Sequence, residues 1–119
     1  MLVKDGIIVV GPVVNLAAAA AANAQVVFTI PAGQLVGTKS VRIKRVQLFN
    51  NGAGNDEVLI GTGVGAAFVA LIPALFSANN LDDLYTPNEA EAFANITAYP
   101  DALPGGGTID IQLTVEIIG

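Results

Sequence analysis

Thr108-Ile-Asp-Ile-Gln-Leu-Thr-Val-Glu-Ile117 places Ile109, Ile111, Leu113, Val115 and Ile117 in strict alternation with Thr108, Asp110, Gln112, Thr114 and Glu116. A period of two means that successive side chains leave opposite faces of a pleated backbone, one face apolar and one polar. The stretch is therefore a strand of an antiparallel sheet that covers a core on one side only. Gly105 to Gly107 precede it and supply the turn.

Working outward, Gln25 to Ile30 (QVVFTI) clusters β-branched and aromatic residues and is closed by Pro31-Ala32-Gly33, which reads as a second strand. Ser40 to Phe49 reads as a third, with a break in phase. Val41 and Ile43 occupy odd positions, whereas Val46 and Leu48 occupy even ones. One extra residue, a β-bulge near Lys44 and Arg45, returns both pairs to the same face. Asn50 to Asp56 is a loop rich in Asn and Gly, and Glu57 to Gly61 begins a new strand beyond it. Ala66 to Ile72 and Ala94 to Tyr99 are further short strands, ended by Pro73 and Pro100. A helical turn is expected near Thr86 or Pro87, where proline and an early Glu suit a first turn. The alanine tract Ala17 to Ala22, with Asn15 as a possible cap, fits either a short helix or an extended connection.

The sum is seven or eight short strands with little helix and no helix–strand alternation. It predicts a single all-β domain over residues 1–119, an antiparallel β-sandwich or jelly roll. No internal repeat supports a solenoid or propeller.

Two runs imitate membrane or export signals. Ile7 to Ala24 passes through IIVVGPVV and the alanines to Ala22-Asn23-Ala24, like a leader with its cleavage site. Asp5 cancels the charge of Lys4, so the run is read instead as an N-terminal strand. Val58 to Leu81 carries no charge before Leu81 and is long enough to span a bilayer as a helix. Gly61, Gly63 and Gly65, followed by Pro73, favour strands and turns, and no membrane partner is expected.

Composition bounds the function. Of 119 residues, 53% are hydrophobic and 13% charged, against roughly 25% charged in an ordinary soluble domain. A small domain has limited interior, so an apolar excess points to burial between molecules, tempered by the many alanines. The net charge of −5 argues against nucleic-acid partners. With no His or Cys, and Ser40 and Ser77 as the only serines, the usual nucleophile–base sets cannot be assembled, so no enzyme activity and no cofactor are expected. Carboxylate pairs such as Asp82 with Asp83, or Glu89 with Glu91, are read as solvated loop charge rather than acid–base machinery. Calcium ligation would require Asn55-Asp56-Glu57 and Asp82-Asp83 to converge through the fold, and no metal site is expected. Gly61-Thr-Gly-Val-Gly65 lacks the lysine and the βαβ setting of a phosphate loop. Asn95-Ile96-Thr97 matches a glycosylation triplet of low information.

One constellation stands out. Lys39, Arg42, Lys44 and Arg45 are four of the five basic residues in the chain. They fit either the solvent side of one strand, with lysine guarding a sheet edge, or an electrostatic docking stripe for an acidic partner.

The series FTIPAG (28–33), VRIKRVQLFNNGAGNDEVLIGTG (41–63), NLDDLY (80–85), ITAYPDA (96–102) and TIDIQLTVEII (108–118) resembles small β-sandwich proteins of tailed-phage virions, with head decoration, or cement, proteins closest. The resemblance is one of pattern and texture over most of the chain. It implies a virion structural protein on the outer capsid surface that clamps major capsid subunits, commonly as a homotrimer, with Lys39 to Arg45 as the first candidate for contact. A tail or fibre component would share the pattern. The competing class is a carbohydrate-binding or adhesion β-sandwich, for which Tyr85, Tyr99 and five Phe offer few aromatic platforms.

Overall fold

A computed structural model describes residues 7–29, 40–52, 56–78, 81–86, 90–92, 94–102 and 107–118. Ten strands occur among them: β1 (Ile7–Leu16), β2 (Gln25–Phe28), β3 (Ser40–Asn50), β4 (Asp56–Thr62), β5 (Val69–Ala70), β6 (Leu75–Ser77), β7 (Leu81–Tyr85), β8 (Glu91–Ala92), β9 (Ile96–Pro100) and β10 (Ile109–Ile118). Sheet one has the order β1-β10-β3-β7, with β8 also on β3, and sheet two the order β2-β9-β4-β5, with β6 also on β4. All pairings are antiparallel; β1 with β10, β2 with β9, β3 with β7 and β8, and β4 with β5 and β6 are nested, and the pairs β10–β3 and β9–β4 join them into the two sheets. Nested pairing of early strands with late ones, split between two sheets, is jelly-roll topology. The fold is thus the expected all-β sandwich, in its jelly-roll form.

The alternation read at the C-terminus is realised in full. Ile109, Ile111, Leu113, Val115 and Ile117 of β10 are buried in the interior, facing the core residues Val58, Ile60, Ile96 and Ala98 of sheet two. The bulge in β3 also falls where the phase break put it. Thr114 pairs with Arg45 and Val115 with Ile43, leaving Lys44 as the extra residue. Val41, Ile43, Val46 and Leu48 all reach the core as a result.

The N-terminal run is a strand from Ile7 to Leu16, hydrogen-bonded to β10. It carries a second bulge: Val10 pairs with Thr114 and Val13 with Gln112, so Gly11 and Pro12 together oppose Leu113. Pro12 has no N–H to contribute, and a bulge on an edge strand is where that loss costs least. The alanine tract is neither a helix nor a strand. Ala21–Asn23 forms a single 3-10 turn, and Gln25 bridges the connection, accepting from Ala17 N at 2.6 Å and donating Nε2 to Asn15 O at 2.8 Å. Asn15 caps nothing; its amide donates to Asp110 across the sheet at 2.9 Å.

Two expected strands shift their boundaries. Ala66 to Ile72 is not one strand: Gly65–Ala67 is a 3-10 turn and only Val69–Ala70 pairs, with Ile72 turned into the core. The chain reverses at Gly63, whose φ of +81° suits glycine, and Thr97 Oγ1 donates to its carbonyl at 2.7 Å. At Gly61 a Cβ would lie 2.0 Å from the carbonyl oxygen of Val69, so β5 approaches β4 only because no side chain intervenes. The strand expected over Ala94 to Tyr99 runs from Ile96 to Pro100, with Pro100 itself paired to Val58. The turn at Pro31 to Gly33 and the residues around Pro87 lie outside the described residues, and Glu91–Ala92 is a short strand. Among the described residues no helix is long and apolar enough to cross a membrane.

Candidate docking surface

The outer face of sheet one gathers the residues singled out above. Three of the four basic residues lie on β3 of this sheet, while Lys39 is outside the described residues. Arg42 stands in register with Glu116 of β10 on one side and Glu91 of β8 on the other. Its guanidinium bonds both, NH1 to Glu116 at 3.0 Å and NH2 to Glu91 at 2.9 Å. Ser40 Oγ donates to the second oxygen of Glu91 at 3.3 Å. A half-exposed ion pair of this kind contributes about 0.2–1 kcal/mol. Its main consequence is that the charge of Arg42 is balanced inside the chain. Lys44 is the half-buried bulge residue, and Arg45 is exposed, opposite Thr114, with no ion pair among the described residues.

Continuing across the sheet, each polar residue of β10 separates β3 from β1. Glu116 pairs with Ile8, Thr114 with Val10 and Gln112 with Val13. These three β1 side chains are 53%, 63% and 56% exposed, and β1 is the edge strand of its sheet. They form an uncharged apolar row beside the basic residues of β3. On the far side of β3, Leu84 is exposed opposite Gln47, and Phe49 is exposed opposite Asp82. Gln47 Nε2 donates to Asp82 at 3.0 Å. The apolar row was not anticipated, since nothing in an all-apolar run such as IIVVGPVV marks which residues face out.

The outer face of sheet two differs. Its own chain covers part of it: Phe68 stacks edge-on against Tyr99 at 4.9 Å between ring centroids, and Thr97 is buried beneath the Gly63 turn, while Val26 of β2 and Phe76 of β6 stay 48% and 51% exposed.

Of the carboxylate pairs, Asp82 and Asp83 are held apart. Asp82 and Asp83 leave opposite faces of β7, the first towards Gln47 and the second to accept from Ala78 N at 2.9 Å. Glu91 is occupied by Arg42, and Glu89 lies outside the described residues. Among the described residues no three acidic, His or Cys side chains gather as a metal cluster. Gly61 to Gly65 leads into a three-residue 3-10 turn, which provides no helix for a phosphate.

Among the described residues two groups are displaced from their ordinary ranges. Burial, followed by the charge of Asp101, raises the Asp56 carboxyl above its ordinary range, and burial, followed by Asp83, raises the Tyr85 hydroxyl. Asp56 Oδ2 and Ser77 Oγ are buried without a hydrogen-bond partner, and their residues are opposite one another in the β4–β6 pair.

In comparisons with known proteins the chain matches no protein-family model, no curated protein and no solved structure, so the likeness to phage decoration proteins stands on its residue pattern alone.

Proposed function

We propose that this protein is a structural subunit without enzymatic activity, working by packing the outer face of sheet one against copies of itself or a larger assembly. The observation that carries the reading is the row of Ile8, Val10 and Val13, more than half exposed on a domain whose core is already filled by the inner faces of both sheets. Apolar side chains left in water along one strand gain most by association, at roughly 25 cal/mol per Å² removed from solvent. Arg45 beside that row supplies orientation, because exposed charge at an interface rim governs register and encounter more than affinity.

Within this class the reading we favour is a head decoration protein of a tailed phage, bound to major capsid subunits on the outer surface of the virion as a homotrimer. It rests on the sequence resemblance together with a jelly-roll domain poor in charge. Binding the assembled shell in preference to free capsid subunits would stabilise the shell by mass action.

The test is to mix the full chain with empty tailed-phage shells stripped of their decoration protein. The proposal expects co-sedimentation and a higher shell disruption temperature, with Arg45→Glu weakening both while the free protein keeps its unfolding temperature. Absence of co-sedimentation removes the capsid reading, and unchanged binding by Arg45→Glu removes that residue from the interface.

A further inference from the structure

The edges of the two sheets are not alike. β7 carries Asp82 and Asp83, β8 carries Glu91, and β2, β5 and β6 have only 4, 2 and 3 residues. Charge and shortness both guard an edge against pairing with another chain. β1 has neither: it runs for 10 residues without a charged side chain, and among the described residues no strand pairs with its outer side. Part of this edge is closed from within. Gly11 O accepts from Gln112 Nε2 at 2.9 Å, Pro12 has no N–H, and the Gln25 amide binds Asn15 O at 2.8 Å and Ala17 N at 2.6 Å. The stretch left open is Ile7 to Val10, from which the exposed Ile8 and Val10 project.

We propose that Ile7 to Val10 pairs antiparallel with the same stretch of a second copy, so that sheet one continues across a two-fold axis through Val9. The inference rests on the packing reading above and names its partner and register. A strand without charge sets no like charges against each other when it meets itself, and its copy is equally neutral, open and β-branched. The pleat restricts the register: outward residues must meet outward residues, so the axis passes through a residue and not between two. Through Val9 it sets Ile8 of each copy against Val10 of the other, one apolar pair on either side of the axis. Through Ile8 it would set Val10 against Gly6, which precedes β1, and through Val10 it would run Val9 into the bulge at Gly11. The pairing uses β1 of both copies and the other edges are guarded, so it closes at two instead of growing into a fibre. Being two-fold, in the trimeric arrangement favoured above it joins two trimers and does not build one.

The chain has no Cys, so introduced thiols report the register directly. Ile8→Cys and Val10→Cys, both at exposed positions, are made as separate full-length proteins, mixed in reducing buffer to exchange, and then oxidised. The register places the two different thiols directly opposite each other, whereas like thiols lie diagonally, about 7–8 Å apart and beyond disulfide reach. The proposal expects a disulfide-linked dimer in the mixture, formed several-fold faster than in either variant alone. Equal cross-linking in a single-variant sample overturns the register, and no cross-linking in the mixture overturns the pairing. If the parent chain self-associates in that last case, the packing reading stands without the edge contact; if the parent stays monomeric, self-association through sheet one falls as well.

Discussion

Sheet one and sheet two share a core but are built differently. The first has three strands of 10, 11 and 10 residues (β1, β3 and β10), with ladders running nearly their full length. The longest strand of the second is the 7-residue β4, and its neighbours β5 and β6 have 2 and 3 residues. Long strands give sheet one a continuous outer face, on which charge is balanced at Arg42 and apolar side chains are left over on β1. Short strands separated by glycine and alanine turns let sheet two fold its own chain over part of its outer face, as Phe68 on Tyr99 shows, and leave Val26 and Phe76 exposed on separate strands. Sheet one is the one that presents exposed apolar residues as a row along a single edge strand.

This contrast can be broken experimentally. The largest effect is expected in the shared core: Ile111→Ala on β10 should lower unfolding free energy by about 2–5 kcal/mol in urea titrations, as cavity formation at a fully buried position does. Val69→Ala on β5, whose side chain is 62% exposed, should stay within about 0.5 kcal/mol. Comparable losses at both sites would remove the distinction. Next, Gly61→Ala places a methyl group against the Val69 backbone and should cost about 1–3 kcal/mol through displacement of β5, visible as faster amide exchange at Leu71 N, which donates to Ile60 O.

Smaller still, Arg42→Ala leaves Glu91 and Glu116 without their shared cation. A loss of about 1 kcal/mol is expected at low ionic strength, shrinking in high salt, and a salt-independent loss would assign Arg42 a packing role instead. The least effect concerns pH. A carboxyl whose folded pKa is raised favours the protonated form, so its contribution is fully present below the ordinary value of 3.8 and lost as pH rises through the folded value. Asp56→Asn should therefore be more stable than the parent at neutral pH, with the advantage vanishing below about pH 3.8. A constant difference across that range would mean that the Asp56 charge has no part in it.

Legibility in the sequence follows the same division. β10 announces itself because its outward residues are polar, and the bulge at Lys44 is legible because Arg42, Lys44 and Arg45 mark the outward positions on either side of the phase break. The bulge at Gly11 and Pro12 is hidden, since Ile8, Val10 and Val13 face outward yet are as apolar as Val9 and Val14, which pack on the core. In sheet two the glycines revealed turns without revealing where strands resume, because Gly61 belongs to a strand and Gly63 to a reversal. The basic cluster was visible as a cluster, but its pairing was not: Glu91 and Glu116 lie 49 and 74 residues from Arg42, and only register brings them together. The same holds for Asp56 and Ser77, which are neighbours solely through the β4–β6 pairing.

Sedimentation equilibrium of the full chain, from about 1 to 100 μM, tests most directly whether sheet one is a surface between molecules, since a standard interface of about 1,600 Å² sustains association in this range. The account predicts an assembly with a mass that is a multiple of 12.1 kDa and reverts towards 12.1 kDa when Val10 is replaced by Asp. A single 12.1 kDa species at every concentration would contradict self-association through this face.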